Sequence, residues 1–235
     1  MKIMVINPNT SLAMTHHIRD TLEPIKRSDT ELTVLCPEHG PITIECEYDE
    51  IYASANMLPL VKKANQEGYD AVVIACFSDP GLAAAREISA IPVVGIQEAT
   101  LHVACMLGAK FTIVTNRRQR IPHKHEQARK LGLESRLASV RPLHMSVAEA
   151  DAEPDRAKKR IIEVARQAVE QDGAEVIVLG CAGMAGYSAD VERELGVVVL
   201  DPSSVALKIA EALADLKRVH ARVGLYAPPP EKEYK

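Results

Sequence analysis

No apolar run in the 235-residue chain approaches the roughly 18 residues of a membrane-spanning helix. Met1-Lys-Ile-Met-Val-Ile6 is also too short, and too soon followed by Asn7-Pro8, to read as a signal peptide. A soluble, cytoplasmic protein is expected. No long block of one charge sign breaks up a formal net charge of -4, so nothing offers a footprint for nucleic acid or an anionic membrane. A small molecule is the expected partner. The five cysteines are odd in number, widely spaced and without a CxxC pair, which argues against a disulfide framework or zinc knuckle and for free thiols. Neither G-x-G-x-x-G nor G-x-x-x-x-G-K-[ST] occurs, so no nucleotide is implied and no cofactor is called for.

What the chain does contain is a repeat. Asp70-Ala-Val-Val-Ile-Ala-Cys-Phe-Ser-Asp-Pro-Gly-Leu82 returns as Ala174-Glu-Val-Ile-Val-Leu-Gly-Cys-Ala-Gly-Met-Ala-Gly186. Each begins with an apolar run suited to a strand buried on both faces of a parallel sheet, and each run stops at a cysteine. Ligands of such sheets bind beyond the carboxyl ends of the strands, which places Cys76 and Cys181 where chemistry is done.

Strands are expected over Lys2 to Ile6, Leu32 to Cys36, the run ending at Cys76, and Ile91 to Ile96. Helices follow from Thr10 or Ser11 to about Leu22 and from Glu50 to Gln66. Another is expected from an Asp79-Pro80 cap to about Ser89. The second half repeats this order, with strands at Phe111 to Thr115, Val140 to Leu143, Val176 to Leu179 and Gly196 to Leu200. Its helices run from His123 to Leu131 and Pro154 to Gln171, and a last one from Asp201-Pro202 to about Lys217. The fold class is α/β: two similar halves, each a parallel sheet flanked by helices, related by a pseudo-two-fold with the site between them. Residues 1–98 with the C-terminal helix 203–220 form one domain, residues 99–202 the other, and 227–235 a flexible tail.

A thiolate at a strand end leading into a helix meets backbone N–H groups and the positive end of the helix dipole, which lower its pKa. One such thiol can take a proton from carbon while a second, protonated, returns one to the opposite face, inverting the centre. The loops Phe77-Ser-Asp and Ala182-Gly-Met can supply N–H donors for the negative charge that develops. Buried cysteines are often only small hydrophobes, and Cys36, Cys46 and Cys105, without a matched partner, are read that way. His16-His17 and His123-Lys-His125 are read as solvated faces, and no metal is expected.

Ile6-Asn-Pro-Asn-Thr10, Ala75-Cys-Phe-Ser-Asp-Pro-Gly81, Gly95-Ile-Gln-Glu-Ala99 and Val178-Leu-Gly-Cys-Ala-Gly-Met-Ala-Gly186 resemble the hydantoin racemases of the aspartate/glutamate racemase superfamily over nearly the whole chain. The resemblance implies a cofactor-independent, commonly homo-oligomeric racemase of 5-substituted hydantoins or a ring relative such as allantoin. It implies Cys76 and Cys181 as the acid/base thiols, and substrate-binding loops at Asn9, Thr10, Phe77, Ser78, Asp79, Thr115, Ala182 and Gly183. Glutamate-type racemases typically carry Cys-Asn-Thr and Cys-Thr-His; Cys76-Phe-Ser and Cys181-Ala-Gly suit a neutral ring better. Two features depart from the family pattern, the basic loop Asn116-Arg-Arg-Gln-Arg120 and Asp201-Pro202, where a glycine is usual after the aspartate. Arg117 or Arg118 pointing inward would favour a carboxylate substrate, and pointing outward, solvated charge. Alternatives are a maleate-type isomerase or arylmalonate-type decarboxylase on the same fold, or a non-catalytic binding protein.

Overall fold

The computed structural model describes residues 1–232. Its first sheet holds β1 (Lys2–Ile6), β2 (Glu31–Leu35), β3 (Ala71–Ile74) and β4 (Val93–Gly95), all parallel, in the order β2-β1-β3-β4. The second holds β5 (Phe111–Thr115), β6 (Leu137–Pro142), β7 (Val176–Leu179) and β8 (Val198–Leu200) in the matching order β6-β5-β7-β8. The two halves are therefore wound alike. Helices α1 (Leu12–Leu22), α2 (Glu47–Gln66), α3 (Leu82–Ile88) and α4 (Ile96–Leu107) belong to the first run of chain. The second run forms α5 (Ile121–Lys130), α6 (Val147–Ala152), α7 (Pro154–Asp172), α8 (Ser188–Leu195) and α9 (Pro202–Asp215). No helix among the described residues is long and apolar enough to cross a membrane.

Side-chain alternation along the strands sorts the core. Ile3, Val5, Ala71 and Val73 face inward and join Phe111, Ile113, Val176 and Val178 in one continuous cluster spanning both halves. Met4, Ile6, Val72 and Ile74 face outward onto Met57 and Val61 of α2. On the second sheet Val114, Ile177 and Leu179 pack against Ile161, Val164, Ala165 and Ala168, the apolar stripe of α7. Burying each large aliphatic side chain contributes about 1.5 to 3 kcal/mol, which makes this shared core the main force joining the halves. The last helix, α9, returns to lie on α4, α1, β3 and β4.

One local expectation is corrected. Asp79-Pro80 does not start a helix: α3 begins at Leu82 behind Gly81, which is left-handed at φ 67°, and Asp79 itself has φ 49°. The Asp79 carboxylate instead accepts the amides of Gln97 (2.9 Å) and Glu98 (2.7 Å), capping α4. That helix has no side-chain cap of its own, which is why the local sequence carries no start signal for it. Beyond α9 the chain runs back over the first half, where a turn at Gly224–Tyr226 packs on α3. Of the tail expected over 227–235, residues 233–235 lie outside the described residues.

Candidate active site

Parallel register brings the ends of β1 and β3 together, pairing Ile6 with Ile74, and likewise pairs Val114 of β5 with Leu179 of β7. Each cysteine lies two residues past its strand, and both line one cleft between the halves with about 630 Å³ of open space. Gly180 is required there: a Cβ on it would lie 2.5 Å from the Val114 carbonyl oxygen.

Asn9, Phe77, Ser78, Thr115 and Ala182 also line the cleft. Asn9 is held by its own loop, its Oδ1 accepting from Asn7 Nδ2 (2.7 Å) and the Ser11 amide (2.9 Å). Thr10, Asp79 and Gly183 are placed elsewhere. Thr10 bonds the Pro41 carbonyl through its amide at 3.0 Å, Asp79 caps α4, and Gly183 opens onto a neighbouring depression beside His17 and Tyr187. The connection before α2 folds over the cleft through Ile44 and Glu45. Glu45 ties it to the opposite half, accepting from Arg117 Nε at 2.9 Å and from the Val147 amide at 3.3 Å.

The cleft also holds charges that sequence reasoning missed, Arg120 and Lys124. Arg120 pairs with Glu50 of α2, both largely buried, and donates to His123 Nδ1 at 2.8 Å. His123 Nε2 stands 2.8 Å from Glu47 and 3.8 Å from Glu50. His123 is thus half-buried in an ion-pair network, a correction to its reading as a solvated face. Its ligand atoms and those of Glu47 and Glu50 lie within 4.8 Å of one another. The grouping suits hydrogen bonding better than a metal, because Arg120 occupies Nδ1 and leaves the N–H on Nε2. Burial, with Lys124, Arg120 and Lys130 adding to it, pushes His123 down to about 3. Arg117 lines the cleft with its side chain 45% exposed and paired to Glu45, while Arg118 is exposed outside it.

Cys76 does not carry the lowered pKa expected of it. Burial pushes its thiol up to about 11, with Ser78 Oγ, 3.5 Å from the sulfur, pulling the other way. The physical reason lies in the turn: the Ser78 and Asp79 amides donate to the Cys76 carbonyl at 2.8 and 2.9 Å, and α3 starts only at Leu82. The dipole and amides that would hold a thiolate are aimed elsewhere. Burial likewise raises Asp79 to about 7, against the two amides it accepts.

A sequence model of the family described as Asp/Glu/Hydantoin racemase matches residues 3–210. A hydantoin racemase from Pseudomonas sp. (strain NS671) is 40% identical over 234 residues, covering 100% of this chain and 94% of that protein. Another, from Paenarthrobacter aurescens, is 39% identical over 235 residues, covering 100% of both. Among solved structures, allantoin racemase from Klebsiella pneumoniae superimposes with a TM-score of 0.97 at 36% identity, covering 100% of this chain and 96% of that one.

Proposed function

Since the chain belongs to the Asp/Glu/Hydantoin racemase family and is a racemase, we propose that it inverts the carbon bearing the substituent of a 5-substituted hydantoin or of allantoin by two-base proton transfer. One thiolate takes the proton from C5 of the ring, the electron pair moves into the adjacent carbonyl as an enolate, and the second thiol delivers its proton to the opposite face. The thiols have then exchanged protonation states, and the reverse reaction starts from the product. The observation that carries this reading is the placement of Cys76 and Cys181 two residues past matched strands on one cleft. The enolate oxygen would meet the amides of Phe77 and Ala182, each following a cysteine and neither donating to another backbone carbonyl among the described residues.

The two arginines of the cleft suit a neutral ring better than a carboxylate. Arg117 is paired with Glu45 and Arg120 with Glu50, so each guanidinium already has an anion. A maleate-type isomerase would want one of them free for its diacid.

The test uses wild-type protein in D2O with a single enantiomer of a 5-substituted hydantoin, then allantoin, then aspartate, following optical rotation and the α-proton signal together. Loss of rotation with deuterium at the α-carbon of a ring substrate is expected. Turnover of aspartate alone would overturn the ring assignment, and silence with all three would overturn the racemase mechanism proposed here.

A further inference from the structure

The two-thiol reading leaves a problem in the resting protein, since a partly buried Cys76 is held in the thiol form and must also act as a base. Resting on that reading only for what the thiol does, we propose that Lys124 is the positioning residue for Cys76, reaching from the opposite half to fix the cysteine turn and to bring a positive charge into the cleft that the sulfur lines.

Lys124 stands on α5 and is 3% exposed. A buried ammonium needs an acceptor for each of its three protons. It has three: the Phe77 carbonyl, Gln97 Oε1 at 3.0 Å and Gln127 Oε1 at 3.2 Å, with the Phe77 ring centroid 5.0 Å away. Three residues on, and so on the same helix face, Gln127 donates through Nε2 to the Ser78 carbonyl at 3.1 Å. Two successive carbonyls of the turn are thereby gripped from α5, while the Cys76 carbonyl accepts the Ser78 amide from within the turn. The Phe77–Ser78 peptide is fixed at both ends. A one-residue shift of α5 against the first half would release it, so the position of the thiol reports how the halves are docked.

The charge argument is separate. The ionisable groups that act on Cys76 are Glu50 from α2, Asp79 from its own turn, and Lys124 from α5, and Arg120 acts in turn on Lys124. Glu50 and Arg120 are committed to each other, Asp79 accepts the α4 amides, and His123 is held neutral. All three acceptors of Lys124 are neutral oxygens, so among the described residues no carboxylate hydrogen-bonds to it. Its charge is therefore the one best able to act on the sulfur. The coupling runs in both directions: Lys124 pulls Cys76 down, and Cys76 pulls Lys124 up against the burial that lowers it to about 8.

The experiment is alkylation of the full-length protein by iodoacetamide from about pH 6 to about pH 10, with Cys76 and Cys181 rates read separately by peptide mass mapping. In Lys124→Gln the side-chain amide can still donate to Phe77 while the charge is gone; Lys124→Met removes both; Lys124→Arg restores charge. A favourable charge lowers a thiol pKa, and below that pKa each unit is a tenfold change in thiolate, so Lys124→Gln should slow Cys76 alkylation about tenfold near pH 8. Cys181 should change by less than about twofold, and Lys124→Arg should recover more of the rate than Lys124→Gln. An unchanged Cys76 profile in Lys124→Gln, or equal slowing of both cysteines, overturns the proposal. If Lys124→Met fails to fold, Lys124→Gln still decides. Alkylation does not depend on turnover, so a wild type inert toward every hydantoin would sink the racemase mechanism and leave this measurement able to stand or fall separately.

Discussion

The space that the Asp79 carboxylate occupies exists because residue 95 is glycine: a Cβ on Gly95 would lie 2.3 Å from Asp79 Cγ and 2.4 and 2.6 Å from its oxygens. The turn that carries Cys76 is in this way anchored to the start of α4. Asp79 stays in a left-handed conformation, rare for a residue with a side chain, because its two bonds to the Gln97 and Glu98 amides hold it there.

Gly95→Ala should therefore push Asp79 off the helix end, uncapping α4 and releasing the cysteine turn. Overpacking of this kind costs about 1 to 3 kcal/mol, read as a lower urea midpoint with an unchanged m-value. Wild-type stability in that variant would show that α4 does not depend on Asp79.

The Glu50 and Arg120 pair joins α2 to the segment before α5 across the cleft, with side chains 9% and 14% exposed. Glu50→Gln should leave the guanidinium buried without its anion and destabilise the fold by about 3 kcal/mol. Glu50→Met with Arg120→Met should recover most of that loss in chemical denaturation. A double variant no more stable than Glu50→Gln would mean that packing, not charge, is what the pair supplies.

Cys76→Ser and Cys181→Ser should each reduce racemisation by at least about 100-fold, since each removes one of the two acid/base groups. Each variant should still exchange the α-proton of one enantiomer with D2O, and the two should prefer opposite enantiomers. The check is deuterium incorporation measured separately for each pure enantiomer. Full racemisation by either variant would leave the two-base scheme without support.

His220 accepts the Val93 amide at Nε2 (2.7 Å), and burial, with Arg86 adding to it, pushes its pKa down to about 4. Between about 4 and the ordinary value of about 6.5, the unfolded chain holds more protons on this imidazole than the folded one. Its contribution to stability is thus present above about pH 6.5 and is lost as pH falls through that window. His220→Gln should flatten the pH dependence of the urea midpoint there, and the difference from wild type isolates this group. The effect should reach the C-terminal strap, where Tyr226 packs on His220 with ring centroids 5.7 Å apart and its hydroxyl accepts from Arg86 at 3.0 Å.

The two matched strands and what ends them are legible in the chain's residue order. Ala71 to Ile74 and Val176 to Leu179 are apolar at every position, a pattern that suits a strand covered on both faces, and each stops two residues short of a cysteine. The parallel windings followed, because each half repeats the same succession of runs and helical spacings. The charges around the site depend on how the halves pack. His123 and Lys124 lie on a short basic helix that reads as solvated and Arg120 just before it, and they become buried because α5 of one half packs against α2 and the Cys76 turn of the other. The same holds for Asp79, whose helix to cap lies beyond an intervening helix and strand, and for the Cys76 thiol, whose pKa is set by burial and not by the neighbours it has in sequence. Periodicity is a local property that one chain displays, whereas desolvation and pairing depend on which distant surfaces meet.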